Sequence, residues 1–373
     1  MQYILQINIF MPLKTNKMVK VLICGYFGFN NAGDELILSS VINNLKRKAD
    51  KIEFEVMYRK GVNSPFLNAI KTVNRWRIDD VINAIFKNDI VIFCGGLFQD
   101  VTGSLSLYYY LALITLAKLT GKKVMLCGVD FVPIKKSKNK ILIWAVLRFV
   151  NVLTVRSEGS KKFLEENYIT NTVLTADVVF SLRESNQVLY SKNKINRIAV
   201  ALKAPENKTN YEEEVKKIVS LCKVVHQKVK AEFVFVPFHL ERDYNMSVEV
   251  LKQLDFKCMI TRWINPESLF GIIENTDLLI SQRFHALVIG IMSGIPVVGI
   301  SKDSKLEYFL TEFGYKNYFL KTLDPEKTLH VVESAWENKD NALKMRIQAL
   351  KEYNKRSELN FFLASDLIKE VKQ

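Results

Sequence analysis

Short runs of β-branched and other apolar residues recur along this chain, and each is followed by a turn and then by a longer stretch with helical spacing. That alternation is the mark of βαβ units and a parallel sheet. The spacing predicts strands over residues 20–24, 53–57, 90–94, 123–127, 152–155 and 172–174, with helices such as 34–46 and 81–86 between them. From about 182 to 195 the text turns polar, and then the pattern restarts with strands at 197–202, 232–237, 278–280 and 297–299 and a strong amphipathic helix at 211–228. A length of 373 residues exceeds one compact core and suits two domains. The expected organisation is an extension over 1–17, a doubly wound α/β domain over 18–185 and a second over 186–373. The charged helical segment from 324 onward is placed to pack back on the first domain. Two such halves imply a cleft, and ligands of such sheets bind beyond the carboxyl ends of the strands.

Lys and Arg number 53 against 39 Asp and Glu, a net charge of +14 that suggests an anionic partner: nucleic acid, a phosphorylated substrate or acidic lipid. The five cysteines are widely spaced with no CxxC pair, which fits free thiols rather than a disulfide framework or a thiolate zinc site. Residues 4–13 are mildly apolar but broken by Gln6 and Asn8, too short to span a bilayer and without a basic stretch ahead of them. The other apolar stretches are bounded or interrupted by Lys118 and Arg148, so the chain reads as cytoplasmic.

Chemistry-bearing residues gather just past the strands. The string CGYFGFNNAGDE over 24–35 follows the first strand and opens a helix, with Gly28, Asn30 and Gly33 suited to close approach of a ligand. Asp34 sits at that helix start, where it would repel a phosphate, so it reads as a cap or a hydroxyl-binding group. The same string also suits an ordinary strand–helix turn. After the strand at 90–94 comes Gly95-Gly96-Leu97-Phe98-Gln99-Asp100, whose glycines let the chain turn flat beneath a ligand, with Gln99 and Asp100 expected to face the cleft. Arg156 and Asp177 follow two further strands of the first half.

In the second half, SQRFHAL over 281–287 places Arg283 and His285 at a strand end. Imidazole moves protons near neutral pH, and guanidinium holds carboxylate or phosphate bidentately. Lys305 lies in the next post-strand loop, and Arg156 facing Arg283 would make a two-sided cationic clamp. The four histidines lack HxxxH or HxH spacing, no GxxxxGK[ST] loop occurs, and the first glycine string is not GxGxxG, so neither a metal, a Walker loop nor a nicotinamide cofactor is expected.

These strings, together with Val155-Arg156-Ser157, Thr175-Ala176-Asp177 and the DSK loop at 303–305, resemble the polysaccharide pyruvyl transferase family, and most closely its bacterial cell-wall type, over about residues 19 to 309. The resemblance implies a GT-B-like fold of two Rossmann-like halves. The implied reaction takes the enolpyruvyl unit of phosphoenolpyruvate, the donor substrate, and installs it as a ketal on two sugar hydroxyls, with no cofactor. Carried onto this sequence, it makes His285 the catalytic acid/base, Arg156 a phosphoenolpyruvate-binding cation and Lys305 the lysine of the family's D-P-K loop. Ser304 stands in place of the usual proline, Lys203 where an arginine is common, and Cys94 in place of a glycine. Phosphoenolpyruvate carries two anionic groups, which Arg156, Arg283 and Lys305 would hold, while Asp34 or Asp100 orients the acceptor. The expected acceptor is an N-acetylhexosamine or hexose of a glycan or of its lipid-linked precursor.

Two other readings stay open: a GT-B glycosyltransferase using a nucleotide sugar, and a non-enzymatic anion-binding or nucleic-acid-binding protein. Against the last, no recognised nucleic-acid motif occurs. The basic string KKSKNK at 135–140 ahead of the apolar run 141–147 would suit peripheral contact with an anionic membrane, or simply a buried helix with a solvated basic start.

Overall fold

The computed structural model of the chain describes residues 17–60, 67–101, 103–131, 134–183, 194–205 and 210–373. Residues 1–16 of the expected extension, and the expected boundary between 185 and 186, lie outside them.

Seven strands form the first sheet: β1 (Val19–Cys24), β2 (Ile52–Tyr58), β3 (Lys71–Asn74), β4 (Ile90–Cys94), β5 (Lys123–Val129), β6 (Val152–Val155) and β7 (Thr172–Leu174). They run parallel in the order β3-β2-β1-β4-β5-β6-β7. Six form the second: β8 (Arg197–Ala201), β9 (Glu232–Phe235), β10 (Cys258–Ile260), β11 (Leu278–Ser281), β12 (Val297–Ile300) and β13 (Phe319–Leu320), parallel in the order β10-β9-β8-β11-β12-β13. The central strands are covered on both faces, which is why they read as unbroken apolar runs; every residue of β4 and β11 is buried. The sequence reading missed β3, β10 and β13. Each is a sheet edge, and among them only Val73 is buried, so none carries the apolar run of a central strand.

In each sheet the strand order reverses once, between β1 and β4 and between β8 and β11. At such a reversal the following helices leave on opposite faces and open a crevice at the carboxyl ends. The first lobe carries α1 (Ala32–Lys48), α2 (Ile78–Lys87), α3 (Leu105–Leu119), α4 (Ser137–Leu147) and α5 (Glu158–Glu166). The second carries α6 (Tyr211–Val229), α7 (Arg242–Leu251), α8 (Ser268–Glu274), α9 (Phe284–Ser293), α10 (Ser304–Glu312) and α11 (Pro325–Glu337).

The last helix, α12 (Lys339–Lys372), packs on α1, β5, β6 and a 3₁₀ turn at Val178–Ser181, all in the first lobe. Its buried Asn360 accepts from the hydroxyls of Thr154 (2.5 Å) and Thr175 (3.0 Å) and donates to the Ala176 carbonyl (3.2 Å). One apolar cluster runs without a break from the inner face of the first sheet through α1, α9 and α12 into the second lobe, and a separate cluster fills the other face of the first sheet. Among the described residues no helix is long and apolar enough to cross a membrane.

Candidate functional site

The loop leaving β1 is shaped from within. Gly28 has φ +82, and a Cβ there would lie 2.7 Å from the Arg59 backbone nitrogen, so only glycine fits. Its N–H donates to Glu35 Oε1 (2.7 Å), and Tyr58 donates to the other oxygen (3.0 Å). Burial pushes the Glu35 carboxyl up to about 7. The next residues dock the second lobe: Ala32 N–H donates to the Phe238 carbonyl (2.7 Å), Leu240 N–H to the Asn30 carbonyl (3.0 Å), and Asn30 Nδ2 to Glu241 (3.3 Å). Gly28 and Asn30, expected to cradle a ligand, therefore spend their polar groups on loop shape and lobe contact.

Helix α1 then begins, with Asn31 as its N-cap. Against Gly33 lies the imidazole of His285, from the first turn of α9: a Cβ on Gly33 would fall 2.2 Å from His285 Nδ1. The other ring nitrogen, Nε2, is buried and 3.3 Å from Asp177 Oδ2, close enough for an ion contact but outside hydrogen-bond geometry. Asp177 caps the 3₁₀ turn through Val179 N–H (3.0 Å) and pairs with Arg156. The Arg156 guanidinium turns its Nε to Asp130 (3.1 Å), which also accepts from Ser157 (2.8 Å), Ser160 (2.5 Å) and, across the cleft, Lys305.

Two cross-lobe ion contacts thus flank one arginine: Asp177 with His285, and Asp130 with Lys305. Although burial opposes it, Arg156 and His285 hold the Asp177 carboxyl well below the usual carboxylate range, and Lys305 and Arg156 do the same for Asp130. Burial and the neighbouring Arg156 lower Lys305.

Asp34 completes the constellation. Burial pushes its carboxyl up to about 6, against the pull of His285, Arg156 and Arg283, and Asn31 Nδ2 donates to it (2.5 Å). Gly95, at φ +95, lets the chain turn beside it; a Cβ there would stand 3.8 Å from Asp34 Oδ1, and one on Gly96 3.7 Å from Arg156 Nη2. The structure therefore brings Gly33, Asp34, Gly95, Gly96, Arg156, Asp177, His285 and Lys305 together.

Four expected residues have other tasks. Asp100 is buried and accepts from the backbone N–H groups of Lys135 (2.9 Å) and Lys136 (3.0 Å) and from Asn139 (2.8 Å), anchoring the start of α4 rather than facing the cleft. Gln99 turns back to accept from Val101 N–H (2.8 Å). Arg283 is committed bidentately to the buried Asp243 (2.8 and 2.5 Å), so it is not a free half of a clamp with Arg156. Lys203 is exposed at the end of β8, outside the network, with its backbone N–H on Gln282 (3.0 Å). Ser304 opens α10 at its first helical position, behind the Asp303 cap. Proline is equally at home there, so the departure leaves the loop geometry in place.

Sequence reasoning missed Asp130. Asp130 stands one residue past β5, but Gly128 (φ +57), where the β5–β6 register shifts, made the strand read as ending at Cys127. It also missed an aromatic ledge at the ends of β1 and β3. There Tyr26 stacks on Phe29 (centroids 4.0 Å apart), Trp76 meets Phe29 edge-on (6.4 Å), and the buried Arg75 lies behind all three.

Between Arg156, Asp177, Phe284, Lys305 and Tyr308 the open space is about 30 Å³, room for about two waters. Among the described residues no three His, Cys, Asp or Glu side chains gather as a metal site would require.

The profile of the polysaccharide pyruvyl transferase family matches residues 31–304. No curated protein sequence matches the chain. Among solved structures, a proposed UDP-N-acetylglucosamine 2-epimerase from Listeria monocytogenes aligns with TM-score 0.64 at 14% identity, covering 92% of this chain and 94% of that one. The UDP-GlcNAc 2-epimerase of Neisseria meningitidis, bound to UDP-GlcNAc, gives 0.60 at 13% identity, covering 95% and 100%. That of Rickettsia bellii gives 0.58 at 15%, covering 95% and 96%. At these identities the likeness is one of fold: two facing Rossmann-like domains in a GT-B-like arrangement.

Proposed function

The chain belongs to the polysaccharide pyruvyl transferase family, and from that premise we propose that it moves the enolpyruvyl group of phosphoenolpyruvate onto two hydroxyls of a glycan sugar, or of its lipid-linked precursor, forming a ketal and releasing phosphate. The observation that carries this reading is the pair of cross-lobe ion contacts around Arg156, with the imidazole of His285 beside Asp34. The donor's carboxylate and phosphate bind Arg156 and Lys305. His285 gives a proton to the methylene carbon, the double-bond electrons form the new C–H bond, and the central carbon becomes an oxocarbenium-like centre. One sugar hydroxyl attacks that carbon and passes its proton to Asp34. The bond to phosphate then breaks with its electron pair on the phosphate oxygen, which takes up the proton held by Asp34 and leaves as hydrogen phosphate. The second hydroxyl closes the ring and returns a proton to His285. Asp177 holds the imidazole in place and stabilises its charged form, and the Tyr26–Phe29–Trp76 ledge offers apolar faces on which an acceptor sugar can stack.

The test is incubation with phosphoenolpyruvate and a panel of N-acetylhexosamine and galactose acceptors, read by phosphate release and product mass. Acceptor-dependent phosphate release with a pyruvate-ketal product supports the reading. Release of nucleoside diphosphate from a nucleotide sugar, with phosphoenolpyruvate untouched, would replace it with glycosyl transfer.

A further inference from the structure

Helix α4 is apolar on two sides. It buries Ile143 and Leu147 against the first lobe, yet Ile141 (64% exposed), Leu142 and Trp144 (37%) face outward, and Phe149 (56%) follows directly after it. A helix covered on one side only is expected to be polar on the other. Its neighbour α3 adds Leu105, 85% exposed, near the same end; Asn139 of α4 bonds Ser104 (3.0 Å) and Tyr108 (2.9 Å).

Along the segment that carries α3 and α4 the charge has one sign. Between residues 101 and 149 stand eight Lys and Arg, and the sole acidic residue, Asp130, is buried in the ion-pair network. Lys135, Lys136, Lys138 and Arg148 are exposed. The Arg148 guanidinium lies over both Trp144 (4.4 Å) and Phe149 (4.6 Å), so cation and rings share one surface.

We propose that this face of the first lobe docks on a membrane leaflet carrying anionic lipid, with Ile141, Trp144 and Phe149 entering the headgroup boundary and the four exposed cations meeting lipid phosphates. Exposed aromatic and aliphatic side chains ringed by unopposed lysines are what such a surface attracts. A protein partner of ordinary surface composition gives no reason for the absence of every exposed carboxylate from this segment. Because α3 and α4 both start at the carboxyl edge of the first sheet, docking sets the cleft mouth beside the leaflet. The proposal does not depend on the reaction assigned above.

The full chain is sedimented with vesicles of phosphatidylcholine alone and with phosphatidylglycerol added. Wild type should pellet only with the anionic vesicles, and less so as salt rises. Lys135→Glu/Lys136→Glu/Lys138→Glu/Arg148→Glu should lower the partition by on the order of 10²-fold or more. Ile141→Ser/Trp144→Ser/Phe149→Ser should lower it at high salt as well. Brominated lipid should quench emission in wild type and far less in Trp144→Phe. Since none of these residues joins the ion-pair network, phosphate release on a soluble acceptor should be unaltered, which separates this test from that of the reaction. Equal pelleting of the charge-reversed variant, or none by wild type, overturns the proposal. So does a dimer in light scattering that the Trp144→Ser change dissolves, which would give the face to a second copy of the chain.

Discussion

Gly33 sits in the first turn of α1 at an ordinary helical conformation, where alanine would normally be the better residue. Its constraint comes from the other lobe, because the His285 ring occupies the place of its side chain. Gly33→Ala should therefore displace the imidazole and lower turnover as much as His285→Ala does, about 10²–10⁴-fold, with far-ultraviolet dichroism unchanged. Asp34 makes a second residue-level prediction. Burial raises its folded carboxyl to about 6 while in the unfolded chain it titrates near 3.8, so the unfolded state loses its proton first as pH rises. Stability from this group is full below about 4 and falls through about 6; above that, Asp34→Asn should be the more stable protein by roughly 2–3 kcal/mol, while losing activity. Denaturant melts at pH 4.5 and 7.5 check the sign, since the gain must shrink at the lower value. For Asp130 and Asp177 the direction reverses. Arg156 lowers both, so their contribution is present above the unfolded carboxylate range and fades as pH falls. Arg156→Ala takes the shared cation from both buried carboxylates and should cost about 3–5 kcal/mol near neutrality, and less in acid. His285 and Arg156 were legible from residue type and position after a strand, and Lys305 from the family resemblance of its loop. Their anionic partners were only half so: Asp177 stood in a recognisable string, but Asp130 was hidden behind a glycine that bends β5.

At the scale of elements, central strands announced themselves while the edge strands β3, β10 and β13 did not, because burial on both faces is what writes an apolar run into sequence. Loops were the harder text. Asp100 and Asp34 look alike on paper, each an acid that follows a strand and a glycine-bearing turn. One is consumed by the backbone of the segment leading into α4, and the other stays beside the cleft cations, a difference set by which neighbouring chain lies over each carboxylate. Asp100→Ala should then destabilise the protein by about 1–3 kcal/mol through the unmet donors at 135, 136 and 139, with no change in KM for phosphoenolpyruvate. A raised acceptor KM with unchanged melting would return Asp100 to the acceptor site.

Across the whole molecule the apolar core does not stop at the cleft, and α12 closes on the first lobe through Asn360. Unfolding should appear as one calorimetric transition, and Asn360→Ala should lower its midpoint, by about 1–3 kcal/mol of stability, without splitting it. Two separate transitions would show that the lobes melt independently. The paired alternation in sequence foretold two lobes, and the charged helical tail was expected to return to the first, but which residues would meet across the cleft was not legible in a linear pattern. That meeting has a consequence for affinity. Asp130 and Asp177 already saturate Arg156 and Lys305, so a dianionic guest enters by exchange, swapping existing pairs for new ones rather than neutralising bare charge. Ionic strength weakens the outgoing and incoming pairs together. Association constants for such a guest should therefore vary far more gently with added salt than the +14 of the chain would lead one to expect.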